Sequence, residues 1–332
     1  MQRRTLILAG ASLGVAPSLV FGQSKGKTVR IGILAGDLTA PHEEEELLAG
    51  LREQGLVEGR NLIIERRYAD GRVDKVPGFA RELAGMNLDV VIATCTPTTL
   101  VAQRAFGSTP DSTPIVMAAV ADPVGQQIIA SLARPGANVT GLASLADETM
   151  PRMLHLFASV LPAKAKVAVL VDANSNVHPK MWRTLEPLST RLNLRVLQVQ
   201  AGRKPGQPSL SEAFDAAVRQ QADGIFVLPD EPFFFAQRAE IVALAAKHRL
   251  PAFYGVREYV DLGGLMSYGE SLRAAFRNVG SYVGKLVAGV KPGGIPVAQP
   301  TVFELVVNLR TAKELGIAVP RDVLLSADSV IQ

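Results

Sequence analysis

Residues 29–37 read VRIGILAGD, a mostly aliphatic run that stops on Gly36 and Asp37. A short run of this kind, ending on residues that suit tight turns, predicts a buried strand of a parallel sheet opening into a βα turn. The pattern returns at 167–175 as VAVLVDANS. In the same order, LIIERRYAD (62–70) is answered by LRVLQVQAG (194–202), and DVVIATCTP (89–97) by DGIFVLPDE (223–231). PIVMAAV (114–120) is answered by PAFYGV (251–256), at a nearly constant offset. Further strands are predicted at 263–268 and 303–308. Segments of helical period lie between the strands, at 43–54, 77–85, 98–106, 149–160, 209–221, 235–248 and 271–288. Strands alternating with helices, twice over, predict an α/β chain of two doubly wound, Rossmann-like lobes with parallel sheets. Stretches rich in small residues, Gly or Pro at 133–144, 256–263 and 290–302 are the expected sites of three crossovers between the lobes. That divides the chain into an N-terminal lobe of 28–140 plus 264–295 and a C-terminal lobe of 144–258 plus 300–332.

Ahead of Val29 the chain has the layout of an export leader. Arg3 and Arg4 precede an uncharged, largely apolar stretch from Thr5 to Phe21, with a cut expected after Gly22. Gly and Pro interrupt that stretch, which favours a cleaved signal over residues 1–22 above a permanent span. Sec and twin-arginine export both remain open. Loss of the leader takes the formal charge from +4 to about +2. Basic residues are scattered, with no stripe interleaved with aromatics, so nucleic acid is not an expected partner. Cys95 is the only cysteine, so no internal disulfide forms and core burial alone must hold the fold.

In open α/β sheets ligands bind beyond the carboxyl ends of the strands. Those ends carry Gly36 and Asp37, Thr94 to Thr96, Asp122, Asn174, Asp230 and Tyr254, which are small, acidic, amide or aromatic residues suited to hold a solute. The same types also suit plain caps and turns. The loop TCTPTT (94–99) is the most suggestive: Thr96 is the expected N-cap, Pro97 the first helical residue, and the amides of Thr98 and Thr99 are expected to be free. Hydroxyls beside a helix N-terminus make a site for a carboxylate. The candidate ligand-binding residues are therefore Gly36, Asp37, Thr94, Cys95, Thr96, Thr98, Thr99, Asp122, Asn174, Asp230 and Tyr254.

Catalysis finds little footing. A Cys95 nucleophile needs a base, and His42, His155, His178 and His248 have no motif spacing. Nucleotide, hydrolase and metalloprotease signatures are absent, and no His, Cys and acid cluster has metal-ligand spacing, so no cofactor or metal is expected. The acids from Glu43 to Glu46 read as a solvated first helical turn. Of Phe233 to Phe235, one ring is expected in the core while another is free to line a cleft. Arg257 and Glu258 fit either a surface pair or contacts to a zwitterion.

LREQGLVEGRNLIIERRYADG (51–71), PIVMAAVADPVGQQIIASLARPGANVTGL (114–142), ALAAKHRLPAFYGVREYVDLGGLMSYG (243–269) and QPTVFELVVNLRTAKELGI (299–317) resemble the substrate-binding proteins of a bacterial ABC-transporter family that includes tryptophan- and tyrosine-type uptake proteins. The resemblance spans essentially the whole chain beyond the leader. It implies a type I periplasmic-binding fold closing over its ligand at a hinge, no enzymatic activity, a periplasmic location and a membrane permease as partner, with the chain acting as a monomer. By position, the family's cleft-facing segments fall on the strand ends named above. Where the family usually has a small, Gly- or Ala-like residue, this chain has Cys95 and Thr96. The function expected is a receptor for a small carboxylate-bearing solute, an amino acid or aromatic acid. A sensory receptor of the same fold and a Cys95-dependent hydrolase stand as alternatives.

Overall fold

The structure, a computed structural model, describes residues 28–36, 41–229 and 232–332. The expected leader at 1–22, Asp37 and Asp230 lie outside these described residues. The first lobe opens with β1 (Val29–Ala35), α1 (Pro41–Glu53), β2 (Leu62–Tyr68), α2 (Val76–Ala84), β3 (Val90–Ala93), α3 (Thr96–Phe106), β4 (Ile115–Ala121) and β5 (Val139–Ser144). Its five strands are parallel in the order β2-β1-β3-β4-β5. Side chains alternate along β1 so that both faces are filled. Ile31 and Ile33 pack with Leu47 and Leu51 of α1, while Leu34 packs with Ala80 and Leu83 of α2.

The second lobe contributes α4 (Ala146–Ala158), β6 (Lys166–Asp172), α5 (His178–Arg191), β7 (Arg195–Ala201), α6 (Leu210–Arg219), β8 (Gly224–Val227), α7 (Pro232–Ala236), α8 (Arg238–Lys247), β9 (Ala252–Tyr254), α9 (Glu258–Asp261) and β10 (Met266–Glu270). The chain then returns to the first lobe as α10 (Leu272–Val287), whose Phe276, Val279 and Val283 join the core beneath β1. It finishes in the second lobe with β11 (Phe303–Asn308), α11 (Leu309–Leu315), α12 (Arg321–Leu325) and β12 (Ser329–Ile331). The seven-stranded order is β12-β11-β10-β9-β8-β6-β7, parallel except for the antiparallel β10–β11 pair.

The three crossings sit at Ser144–Ala146, Glu270–Leu272 and Ala298–Phe303, and two expectations change as a result. The stretch 133–144 holds strand β5, buried along its length and paired with β4. Its Gly141 lies so close to β4 that a Cβ there would stand 2.1 Å from the Met117 carbonyl oxygen, so a glycine that reads as linker is a packing requirement. The expected return to the first lobe at 264 also differs from the pairing. β10 is hydrogen-bonded between β9 and β11 of the second sheet, and the segment 256–263 forms α9 beside it.

Helices α1 and α10 join the two ends of the first lobe through backbone contact. A Cβ on Gly50 would stand 2.0 Å from the Arg277 carbonyl oxygen, and one on Gly280 would stand 2.3 Å from the Gly50 carbonyl carbon. Only glycine permits that approach. Gly78, in α2, meets nothing within 4 Å. Gly280→Ala is therefore expected to destabilise the protein by about 1–3 kcal/mol through overpacking, while Gly78→Ala is expected to stabilise it by about 0.5–1 kcal/mol. Opposite shifts in denaturant midpoint check the pair.

Candidate ligand-binding site

The strand order reverses between β1 and β3 in the first lobe and between β6 and β8 in the second, and these two reversal points face each other. Between them lies an open cleft lined by both lobes, the place where ligands bind in open α/β sheets. The first lobe supplies Glu43, Thr94, Cys95 and Phe276. The second supplies Pro229, Phe235, Gly255, Tyr259 and Phe303, and the crossings add Ser144, Leu145 and Glu270. Most of the lining is apolar. Among the described residues it includes no lysine, arginine or histidine.

The loop after β3 divides the threonines into two kinds. Cys95, with an extended backbone, is the residue that caps α3, and Thr96 is already helical. Thr96 Oγ1 accepts the Ala121 amide at 3.2 Å, holding α3 to the end of β4. Thr98 Oγ1 accepts the Cys95 amide at 3.1 Å, and Thr99 Oγ1 donates to the Cys95 carbonyl at 2.9 Å. All three hydroxyls are turned into the fold, because serving the helix start satisfies them locally. They are not among the residues that line the cleft. Thr94 is different. It is 6 % exposed, it lines the cleft, and its hydroxyl has no hydrogen-bond partner among the described residues. Leaving a buried hydroxyl unbonded costs about 1–3 kcal/mol, and a ligand polar group would relieve that cost. Cys95 lines the cleft beside it, its Sγ 3.3 Å from Thr98 Oγ1.

The other expected residues fall into different roles. Gly36 lies where the lobes meet: a Cβ there would stand 3.0 Å from the Pro232 Cβ, and 3.2 Å from Cys95 Sγ of its own lobe. Asp122 pairs across the cleft mouth with Lys180 of α5 at 2.7 Å, and Lys180 also reaches Asp147 at 3.1 Å. Lys180 holds the Asp122 carboxyl below the usual range. Asn174 is used within the second lobe, donating to Asp172 Oδ1 at 3.1 Å and to Gln207 Oε1 at 3.0 Å. Tyr254 is wholly buried, so it cannot stack on a ligand. Its ring stacks on Tyr259 at 4.6 Å, burial pushes its hydroxyl pKa up, and Tyr259 is the ring that lines the cleft. A further interlobe bond runs from Arg203 Nη1 to the Gly71 carbonyl.

Several lining residues were not expected from the sequence. Glu43 reads as part of a solvated acidic turn but is 1 % exposed, because α1 places it under the second lobe. Phe235 is the member of its triplet that reaches the cleft, while Phe233 and Phe234 join the second lobe's core. Arg257 bonds Glu304 at 2.8 Å, whereas Glu258 turns inward and is 8 % exposed. His178 is a satisfied core histidine. Its Nδ1 accepts the Asp172 amide at 3.0 Å, its Nε2 lies 3.0 Å from the Pro229 carbonyl, and burial lowers its pKa to about 4. No group of His, Cys and acids among the described residues is arranged to hold a metal, and no helix there is long and apolar enough to cross a membrane.

A family model described as ABC transporter substrate binding protein matches residues 41–331. A tyrosine-binding protein of Clostridioides difficile (strain R20291) is 24% identical over 309 residues, covering 92% of this chain and 84% of that protein. Among solved structures, a conserved domain protein from Vibrio cholerae is 26% identical with a TM-score of 0.80, covering 92% of this chain and 100% of that one. An ABC domain in complex with L-Trp from Streptococcus pneumonia has a TM-score of 0.78 at 23% identity, again covering 92% and 100%.

The inward turn of Glu258 has a measurable consequence. Burial, reinforced by the nearby Glu43 and Asp261, raises its pKa from the ordinary 4.5 to about 7. Between those pH values the folded chain holds a proton that the unfolded chain has lost, so this group's contribution to stability falls as pH rises from about 4.5 to about 7. Glu258→Gln is expected to raise Tm by roughly 2–4 °C at pH 8 and by little at pH 5, read by thermal melts at the two pH values.

Proposed function

The chain belongs to the ABC transporter substrate-binding protein family, and from that premise we propose that it is the extracytoplasmic receptor of an ABC importer, binding an amino acid, most simply an aromatic one, between its lobes. The observation that carries this reading is Thr94: a buried, unpartnered hydroxyl at the reversal point of the first sheet, on a residue lining a mostly apolar interlobe space. Phe235, Tyr259, Phe276 and Phe303 surround that space with rings that suit an apolar or aromatic side chain. The relatives named for tyrosine and solved with L-Trp make aromatic amino acids the first solutes to try.

In this reading Thr94 bonds a polar group of the solute, and the second lobe brings Phe235, Tyr259 and Phe303 over it. Closure exchanges cleft water for ligand contacts and makes the lobe-to-lobe bonds of Lys180 and Arg203. A membrane permease then recognises the closed form, in the periplasm. The receptor acts as a monomer. The lining favours binding over catalysis: no histidine stands among its described residues to act as base for Cys95.

Isothermal titration with L-tryptophan and L-tyrosine tests the function directly. Saturable binding of at least one of them at a single site is expected, and binding of neither rejects the aromatic amino acid reading. Thr94→Val is expected to weaken that binding by about 1–3 kcal/mol, since the ligand then faces a methyl group in place of a buried hydroxyl. Thr98→Val, which removes a helix-start bond at a residue that does not itself line the cleft, is expected to lower Tm more than affinity.

A further inference from the structure

We propose that Glu270 is the subsite for a protonated amine on the bound solute, so that the cleft selects ligands carrying an ammonium group and receives that group at the hinge itself. The proposal rests on the receptor reading above and names a chemical requirement for its ligand. Glu270 closes strand β10 at the second crossing. Its carboxylate lies beside the Ser144 hydroxyl and the Leu145 amide, both of the first crossing, and both favour its ionised form. The carboxylate keeps lone pairs open to further donors. The residue forms part of the wall of the cleft on one side and of a smaller cavity behind the crossings on the other.

Neither space is lined by a lysine, arginine or histidine among the described residues. Burial raises the pKa of Glu270 to about 7, and Ser144 and Leu145 are the opposing influence. No charged side chain among the described residues acts on it. The charged groups on neighbouring elements are engaged elsewhere. On β11, Glu304 bonds Arg257 at 2.8 Å, and on α4, Asp147 bonds Lys180 at 3.1 Å. On α10, Arg273 lies 3.6 Å from Asp261, while Arg277 reaches Glu46 at 3.0 Å and also pairs with Glu53. Glu43 of α1 and Tyr259 of α9 face the same cleft, and the charge of Glu43 bears on Glu258 of α9. A half-buried carboxylate without a counter-ion, poised to ionise near neutrality, is a place where a ligand's cation gains most. Phe303, the cross-strand partner of Glu270 on β11, also lines the cleft and offers its ring to the same cation.

The sign of the pH effect follows. An ammonium group binds the ionised form of Glu270, so binding at neutral pH releases a proton from the carboxyl to solvent. Affinity for an amine-bearing ligand should rise with pH through about 7, by about tenfold between pH 6 and pH 8. The test titrates the protein with three probes at both pH values: L-tryptophan, tryptamine, which keeps the amine alone, and indole-3-propionate, which keeps the carboxylate alone. Wild type should bind the two amines about tenfold more tightly at pH 8 than at pH 6, and at pH 6 should release close to one proton per ligand, counted by repeating the titration in buffers of different ionisation enthalpy. Glu270→Gln retains an oxygen for Ser144 and Leu145 but should flatten the pH profile and weaken both amines at pH 8 by about tenfold or more. It should leave indole-3-propionate unharmed. Unchanged tryptophan affinity and pH profile in Glu270→Gln overturn the proposal while leaving the receptor reading standing. So does tryptophan binding to wild type without proton release, a readout that needs no variant. Failure of all three probes to bind wild type contradicts both.

Discussion

Three chain crossings run side by side between the lobes, and the bonds that tie them together are the constraint on which the rest of the structure depends. The Glu270 carboxylate joins the second crossing to the first through Ser144 and Leu145. The Ser271 amide joins the second to the third by donating to the Val302 carbonyl at 3.0 Å. Each lobe is completed by chain from beyond a crossing: α10 returns to pack on α1, and β11 and β12 extend the second sheet. Neither lobe is continuous in sequence, so the crossings cannot lengthen or separate freely. In the proposed receptor they are the axis about which the lobes would move, and they set the floor of the cleft.

The contacts across the mouth are of a different weight. Lys180 and Asp122 are both partly exposed, and exposed ion pairs contribute only about 0–1 kcal/mol. Arg203 reaches the Gly71 carbonyl and stacks 5.1 Å over the ring of Phe233, a less exposed arrangement. Gly36 and Gly71 allow the two backbones to meet the α7 segment at all, since a Cβ at Gly71 would stand 2.8 Å from the Ala236 Cβ. In the proposed receptor, mouth contacts of this strength would bias closure without enforcing it. A solute that satisfies Thr94 and gives Glu270 a counter-ion adds the difference that a ligand must supply to shift such an equilibrium.

Much of this was legible in the sequence, and the failures have physical causes. Strands β1, β2 and β11 occupy the residues predicted for them; β1, buried along nearly its whole length, leaves an almost continuous aliphatic signal. β5 was read as linker because VTGLAS has small residues, chosen by backbone approach and not by hydrophobicity. The strand-end rule found Thr94 and Cys95 in the cleft and placed Gly36 at the lobe contact. It could not tell a threonine that faces the cleft from one that serves the helix start, since the sequence shows Thr94, Thr96, Thr98 and Thr99 as one run of hydroxyls around the cap. Glu43 and Glu270 were missed for the opposite reason. A carboxylate on a helical turn or strand end reads as solvated, and only the folding of one lobe over the other buries it.

The central claim is that the interlobe cleft holds the solute and that the crossings let it open and shut. Cys95 supplies the direct measurement, since it is the chain's only cysteine, lines the cleft and is 5 % exposed with the lobes in contact. Its rate of alkylation by iodoacetamide reports how often the cleft opens and whether a ligand fills it. The account predicts measurable labelling in the free protein and suppression of that rate by saturating L-tryptophan, in proportion to occupancy. Labelling that proceeds at the same rate with tryptophan bound would contradict it.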